Sequence, residues 1–299
     1  MRSLQVQSQA FCTLALLVVA AAGMLPRPSS RVEMLVVAIL IVALGVPHGA
    51  LDSVFARRRL SLRSFRMWCW FGARYVGYMA AVVAVWFLAP GTFLVLFLLL
   101  SAFHFSGDPI GDCSVFVRAV QGGAVLLLPA LLHGPELSTL FGMLVGGEAA
   151  GAIVPSMSVA AVPCVGIVLV AIAVASRTSK QVAFELLTVA VLVTFASPLI
   201  GFAMYFCGMH SARHIVRTVA YTGNAGLTSL GLLAIAPMLG VGALGLIGWW
   251  LFSGVQMEVK VIQLLFVGLA SLTLPHMLLV EPVRLEGWPD RRASTFVSM

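Results

Sequence analysis

Five of the six histidines in this 299-residue chain sit near one end of strongly apolar segments. They are His48 in Val46-Pro47-His48-Gly49-Ala50-Leu51-Asp52, His104 in Ser101-Ala102-Phe103-His104-Phe105, His210 and His214 in His210-Ser211-Ala212-Arg213-His214, and His276 after Leu274-Pro275. A neutral imidazole in hydrocarbon costs free energy unless it is hydrogen-bonded or metal-bound, so an ionisable residue inside a membrane helix marks a functional site. The i,i+4 spacing of His210 and His214 puts both rings on one helical face, where they can address one ion. Adding His48 and His104 from two other segments gives four neutral nitrogen donors, which suit iron, copper, zinc or nickel. A divalent ion held this way keeps its full charge and, if six-coordinate, has two positions for dioxygen or another reactant. Oxygen-activating iron fits that set better than structural zinc, which is usually tetrahedral and rich in cysteine.

A ligating imidazole usually donates its other N–H to a carboxylate or carbonyl. Asp52, four residues after His48, is expected to serve there; Asp108, four after His104, is either a second such partner or an ordinary charge at a helix end. His276 is read as an outer hydrogen-bonding residue. Glu185, Glu258 and Lys260 read as interfacial, and Arg213 and Arg217 as side chains snorkelling to the surface.

The elements that position these residues follow from composition. With 61% hydrophobic and 10% charged residues and a mean hydropathy of +1.05, the chain is an all-α polytopic membrane protein rather than a soluble domain. Apolar runs and their Pro and Gly punctuation predict about ten transmembrane helices, at 9–26, 32–54, 67–89, 91–106, 115–133, 158–176, 181–196, 198–219, 229–253 and 259–281. The run from Phe11 to Leu25 is read as a retained first helix, and Glu136 to Ser156 as an interfacial loop. No repeat or linker interrupts residues 1–299, so one domain is expected. The five cysteines have no metal-type spacing and read as buried thiols.

The net charge of +7 comes from arginine, against only Lys180 and Lys260. It reads as an orientation signal, and nucleic-acid binding is excluded. Arg57, Arg58, Arg59, Arg63 and Arg66 between helices 2 and 3, Arg177 and Lys180 between 6 and 7, and Arg284, Arg291 and Arg292 after helix 10 share one face. That predicts both termini cytoplasmic, with Arg27 and Arg31 as exceptions. His48, His104, His210 and His276 then lie roughly 12–18 residues into helices that run inward, about 18–27 Å along them. His133, at the end of helix 5, falls at the opposite face as a solvated residue.

The segments His48-Gly49-Ala50-Leu51-Asp52, Ser101-Ala102-Phe103-His104-Phe105, Tyr205-Phe206-Cys207-Gly208-Met209-His210-Ser211-Ala212-Arg213-His214 and Pro275-His276 resemble, in order, the motifs of the Brp/Blh family of integral-membrane β-carotene 15,15′-dioxygenases. The resemblance spans helices 2 to 10. It implies Fe(II)-dependent, O2-consuming cleavage of the central double bond of β-carotene into two molecules of all-trans retinal. It further implies iron held by His48, His104, His210 and His214, a place in the cell membrane, and a functional link to a retinal-binding rhodopsin. The family often has Gly directly after the His-Phe pair, whereas Ser106 intervenes here before Gly107-Asp108, which bears on the role of Asp108.

A forty-carbon polyene has no polar handle and dissolves in the lipid bilayer, so an enzyme embedded there can take it up laterally. Of the aromatic residues near the metal level, Phe103, Phe105, Tyr205 and Phe206 gain weight as substrate-wall residues from adjacency to a proposed ligand, more than Trp249 and Trp250. Tyr205 is a further candidate to hydrogen-bond oxygen or the retinal carbonyl. The rival classes are a histidine-ligated haem protein of electron transfer, a di-iron desaturase, which needs more histidine boxes, a metal transporter, which an inverted repeat would mark, and an inactive or regulatory family member. An opsin would need a mid-helix lysine.

Overall fold

The computed structural model describes residues 2–111, 113–223 and 226–288; Arg291 and Arg292 lie outside them. The described residues are helical, with α1 Arg2–Met24, α2 Ser30–Arg59, α3 Phe65–Leu88, α4 Pro90–Phe105, α5 Val115–Leu132, α6 Gly134–Val145, α7 Gly147–Ser176, α8 Lys180–Phe195, α9 at 198–221, α10 Leu227–Leu251 and α11 Met257–Glu286. Seven of them, α1, α2, α3, α5, α7, α10 and α11, are long and apolar enough to cross a membrane, where about ten were expected. The three others among the expected ten fall short for a physical reason. The 16 residues of α4 and of α8 span only about 24 Å at the α-helical rise, against a hydrocarbon core of about 30 Å, and α9 carries His210, Arg213, His214 and Arg217 in its second half, which makes it less apolar than the seven.

The expected loop at Glu136 to Ser156 is helical instead, as α6 and the first turns of α7. Pro135 occupies the first turn of α6, where its missing N–H costs nothing, and Gly146 ends that helix at φ 90°. Residues that read as breakers are therefore caps.

Ion pairs gather the connections at two ends. Arg27 pairs with Glu136 (2.6 Å) and Arg31 with Glu258 (2.5 Å), which puts the α1–α2, α5–α6 and α10–α11 connections together. At the other end Arg59 meets Glu286 (3.3 Å) and Arg284 donates to Ser106 Oγ (3.0 Å), joining the end of α2, the α4–α5 loop and the end of α11. The N-terminal part of α1 belongs to this second end, where Gln7 donates to the Gly208 carbonyl (2.7 Å).

A continuous core runs between, through Phe11, Met34, Phe93, Leu128, Leu192, Tyr205 and Ile262, and draws on α1, α2, α4, α5, α8, α9 and α11. In contrast, α3 buries only Trp86 and α10 is mostly exposed. These two helices flank the functional site instead of building the core.

Candidate metal centre

Two of the helices that carry motif histidines, α2 and α9, leave α-geometry at His48 and His210, whereas α11 keeps it through His276. In α2 a π-turn at Ile41–Gly45 gives way to a 3₁₀ segment, Val46–Leu51, so that the Val46 N–H reaches the Ile41 carbonyl and the Asp52 N–H the Gly49 carbonyl. Pro47 has no N–H to give, and the local change of pitch accommodates that loss. His48 lies in this segment, and its Nδ1–H donates to the Gly45 carbonyl (2.5 Å). In α9 the π-segment carries His210, and α-geometry resumes at Ala212 before His214. Such π-segments occur preferentially at functional sites. The two irregular stretches touch: any Cβ at Gly45 would collide with the Phe206 ring, and Ser211 Oγ donates to the Leu44 carbonyl (2.6 Å).

The five motif histidines meet in one buried cluster. The His48 ring centroid lies 5.0 Å from that of His210, 5.4 Å from His214 and 5.1 Å from His276. His104 lies 4.5 Å from His210 and 5.1 Å from His276, and His214 lies 5.1 Å from His276. Ligand-capable nitrogens of His48, His104 and His276 are all within 4.8 Å of one another. His276, expected further out, is thus as central as the others.

Carboxylates hold three of the rings from outside, with partners that differ from those expected by spacing. Asp52 accepts from His276 Nδ1 (2.6 Å), not from His48, and its other oxygen accepts from the Tyr75 hydroxyl (2.8 Å). Asp108 accepts from His210 Nδ1 (3.1 Å), not from His104, and from the Tyr205 hydroxyl (2.6 Å). His104 Nδ1 donates to Glu281 (2.7 Å), whose second oxygen pairs with Arg284 (2.5 Å). Asp52 follows a 3₁₀ segment and Asp108 lies beyond the end of α4, so neither stands one α-turn from its histidine, and each acid serves an imidazole brought in from elsewhere in the chain. Glu281 is absent from the sequence reading, although a carboxylate inside an apolar segment is itself a signal.

Asp108 stands in the loop between α4 and α5. Arg213 and Arg217 donate to its carbonyl at 2.8 and 3.1 Å, Arg217 also to that of Gly107 (2.9 Å), and Arg118 to those of Gly111 (2.9 Å) and Cys113 (3.2 Å). A buried loop has carbonyls that need donors, and the guanidinium fork supplies several at once. Burial by itself would raise the Asp108 carboxyl, but His210, Tyr205 and Arg217 outweigh it and hold it below its ordinary range. Arg213 does not snorkel: it is 0% exposed and pairs with Glu185 (3.1 Å), which is buried rather than interfacial. Arg217 is likewise drawn inward, against that loop. Lys260 is also buried, over the Trp249 ring, while Glu258 is half-buried and paired with the exposed Arg31.

An apolar cavity of about 320 Å³ opens on the cluster, lined by His48, His104, His210 and His276 together with side chains of α2, α3, α4, α9, α10 and α11. Of the expected wall residues, Phe105 and Phe206 line it. Phe103 is 47% exposed with Arg284 over its ring, and Tyr205 is buried behind the wall on Asp108, its hydroxyl committed there. Trp249 and Trp250 face outward. A stripe on α3 was missed, Trp68, Phe71, Tyr75 and Met79, although its spacing of three and four residues marks one helical face. His133 stands apart from the five rings, beside Glu136 (3.5 Å), and is buried rather than solvated.

The donor set fits a metal. The Nε2 atoms of His104, His210, His214 and His276 are buried and have no hydrogen-bond partner among the described residues. Each such orphan costs about 1–3 kcal/mol in apolar surroundings, and one divalent ion answers several at once.

The pattern of a family described as β-carotene 15,15′-dioxygenase matches residues 39–283. The chain is 27% identical over 255 residues to the β-carotene 15,15′-dioxygenase of an uncultured marine bacterium, 66A03, covering 81% of this chain and 90% of that protein. It is 27% identical over 310 residues to the probable β-carotene 15,15′-dioxygenase Blh of Halobacterium salinarum, covering 90% of this chain and 87% of that one. No solved structure matches it.

Proposed function

The chain belongs to the β-carotene 15,15′-dioxygenase family, so it cleaves β-carotene at the central double bond, and we propose that it does so with an iron(II) ion held by His48, His104, His210 and His214. Dioxygen is the co-substrate and two molecules of all-trans retinal are the product. The observation that carries this reading is the buried ring cluster forming one wall of an apolar cavity. Iron, when bound, supplies the oxygen chemistry that no side chain here can provide.

The chain's own residues do the rest. Gly45, Glu281 and Asp108 accept from the Nδ1 atoms of His48, His104 and His210, which fixes the orientation of these rings and leaves Nε2 as the atom that faces a metal. A polyene taken from lipid gains little by exchanging one hydrocarbon surrounding for another, so the cavity holds it by shape and van der Waals packing, and it excludes water from the reacting double bond. Phe105 and Phe206 lie against His210 and line the cavity, so they fix the plane of the polyene beside the ligands. Substrate enters from the bilayer. In this reading residues 1–299 act as one domain in the cytoplasmic membrane with both termini cytoplasmic, and a retinal-binding rhodopsin is the natural consumer of the product.

The test is expression in cells that accumulate β-carotene. The expected outcome is loss of the orange colour with appearance of all-trans retinal, abolished by alanine at any of His48, His104, His210 or His214, while His133→Ala stays active. Retained colour without retinal, in folded and iron-loaded protein, would defeat the assignment.

A further inference from the structure

We propose that His276 is a metal-binding residue of this chain, a fifth nitrogen donor beside the four motif histidines, and that Tyr75 is a positioning residue that fixes it through Asp52. The inference rests on the reading that the cluster holds a metal, and it goes beyond that reading in the ligand set and in what couples the set to the cavity.

Three observations carry it. First, His276 is the residue whose nitrogen joins those of His48 and His104 within 4.8 Å, and its ring stands about equally far from His48, His104 and His214, at 5.1 Å from each. A residue packed outside a four-histidine site would not stand at the middle of it. Second, its Nε2 is buried without a partner among the described residues, as are those of His104, His210 and His214, while its Nδ1–H is committed to Asp52. A hydrogen bond at Nδ1 leaves Nε2 as the lone-pair atom, which is the tautomer that ligates. Third, Asp52 is itself held by the Tyr75 hydroxyl, and Tyr75 lines the apolar cavity. A cavity-lining hydroxyl that bonds to the carboxylate behind a ring, and not into the cavity, orients that ring. A polyene lying against Tyr75 would press on the same relay.

The test uses the purified full-length protein in detergent with Co²⁺ as the probe, read by its visible absorption and by titration against a competing chelator. Asp52→Asn is expected to weaken cobalt binding about 10–100-fold, and His276→Ala at least as much, each with shifted bands. Tyr75→Phe, which keeps size and packing, is expected to shift the bands while the melting temperature stays at that of the parent protein. His276→Gln, of similar polarity, gives the same reading from its folded fraction if the alanine variant does not fold. Wild-type affinity and spectrum in the His276 variants, with cobalt lost in His48→Ala, would overturn the fifth donor and leave the four-histidine reading standing. Wild-type cobalt binding in both His48→Ala and His276→Ala would overturn that reading and this proposal together.

Discussion

At the scale of single residues, the buried charges of this protein stabilise by being answered, and each can be assigned its answer. Arg213 is enclosed by Glu185, the Asp108 carbonyl and the Gln7 amide oxygen, at 3.1, 2.8 and 2.9 Å, while Ser8 donates to the other oxygen of Glu185. Removing one member leaves the other charge desolvated and alone, which costs about 3–5 kcal/mol, whereas replacing both with apolar residues is often close to neutral. The expected outcome is a large fall in melting temperature in detergent for Arg213→Met, partly recovered in Arg213→Met with Glu185→Leu. Recovery stops short of complete because Gln7 loses its donor, and the Asp108 carbonyl one of its two, in either case. Equal melting of the single variant and the parent would mean that the pair contributes nothing. A second consequence is chemical. Because Arg213 donates to the backbone of Asp108 and Asp108 accepts from His210, loss of the arginine is expected to loosen a ring of the proposed metal site from two residues away.

At the scale of helices, the cavity has one wall built by default. On α10 the residues that line it, Pro237, Gly240, Val241 and Leu244, recur at three- and four-residue spacing and are small or aliphatic, and a Cβ at Gly240 would meet nothing within 4 Å. Phenylalanine there fills space the substrate needs without touching the ring cluster. Gly240→Phe is expected to lower kcat/KM on β-carotene about 10-fold or more with iron content unchanged; unaltered kinetics would place the polyene elsewhere. Helices and their apolar faces were largely legible, because the hydrophobic run and the 3.6-residue period are local properties: all ten runs lie on helices. The helix at Gly134–Val145 was not, since Gly and Pro punctuate loops and cap helices alike, and only the direction of the chain around Pro135 and Gly146 separates the two. The five histidines were legible as types in the wrong solvent. Their carboxylates were not, because Asp52 with His276 and Glu281 with His104 are contacts between helices separated by 224 and 177 residues, and no periodicity within one helix encodes which neighbour it meets.

At the scale of the whole molecule, charge and topology agree on two unlike ends. The ends of α2 and α11, the start of α1 and the loop between α4 and α5 share the end near the ring cluster, where Arg57, Arg58, Arg59, Arg63, Arg66 and Arg284 lie. The opposite end carries Arg27 and Arg31, each paired with a glutamate. The positive-inside rule predicts that the arginine-rich end faces the cytoplasm, and both the first and the last described helix have their chain ends at that end. In a cysteine-free background, Ser61→Cys reports the connection after α2 and Thr139→Cys reports α6; both positions are exposed. With a membrane-impermeant maleimide on intact cells, the cysteine at position 139 is expected to label at once and that at position 61 only after the membrane is permeabilised. The reverse pattern would turn the protein over and place the ring cluster near the outer surface. That distinction bears on function, because the cavity sits between α3 and α10 at the same depth as the rings. Retinal leaving by that route enters the bilayer close to the cytoplasmic leaflet if the cysteine at 61 is protected, and close to the outer leaflet if it is not.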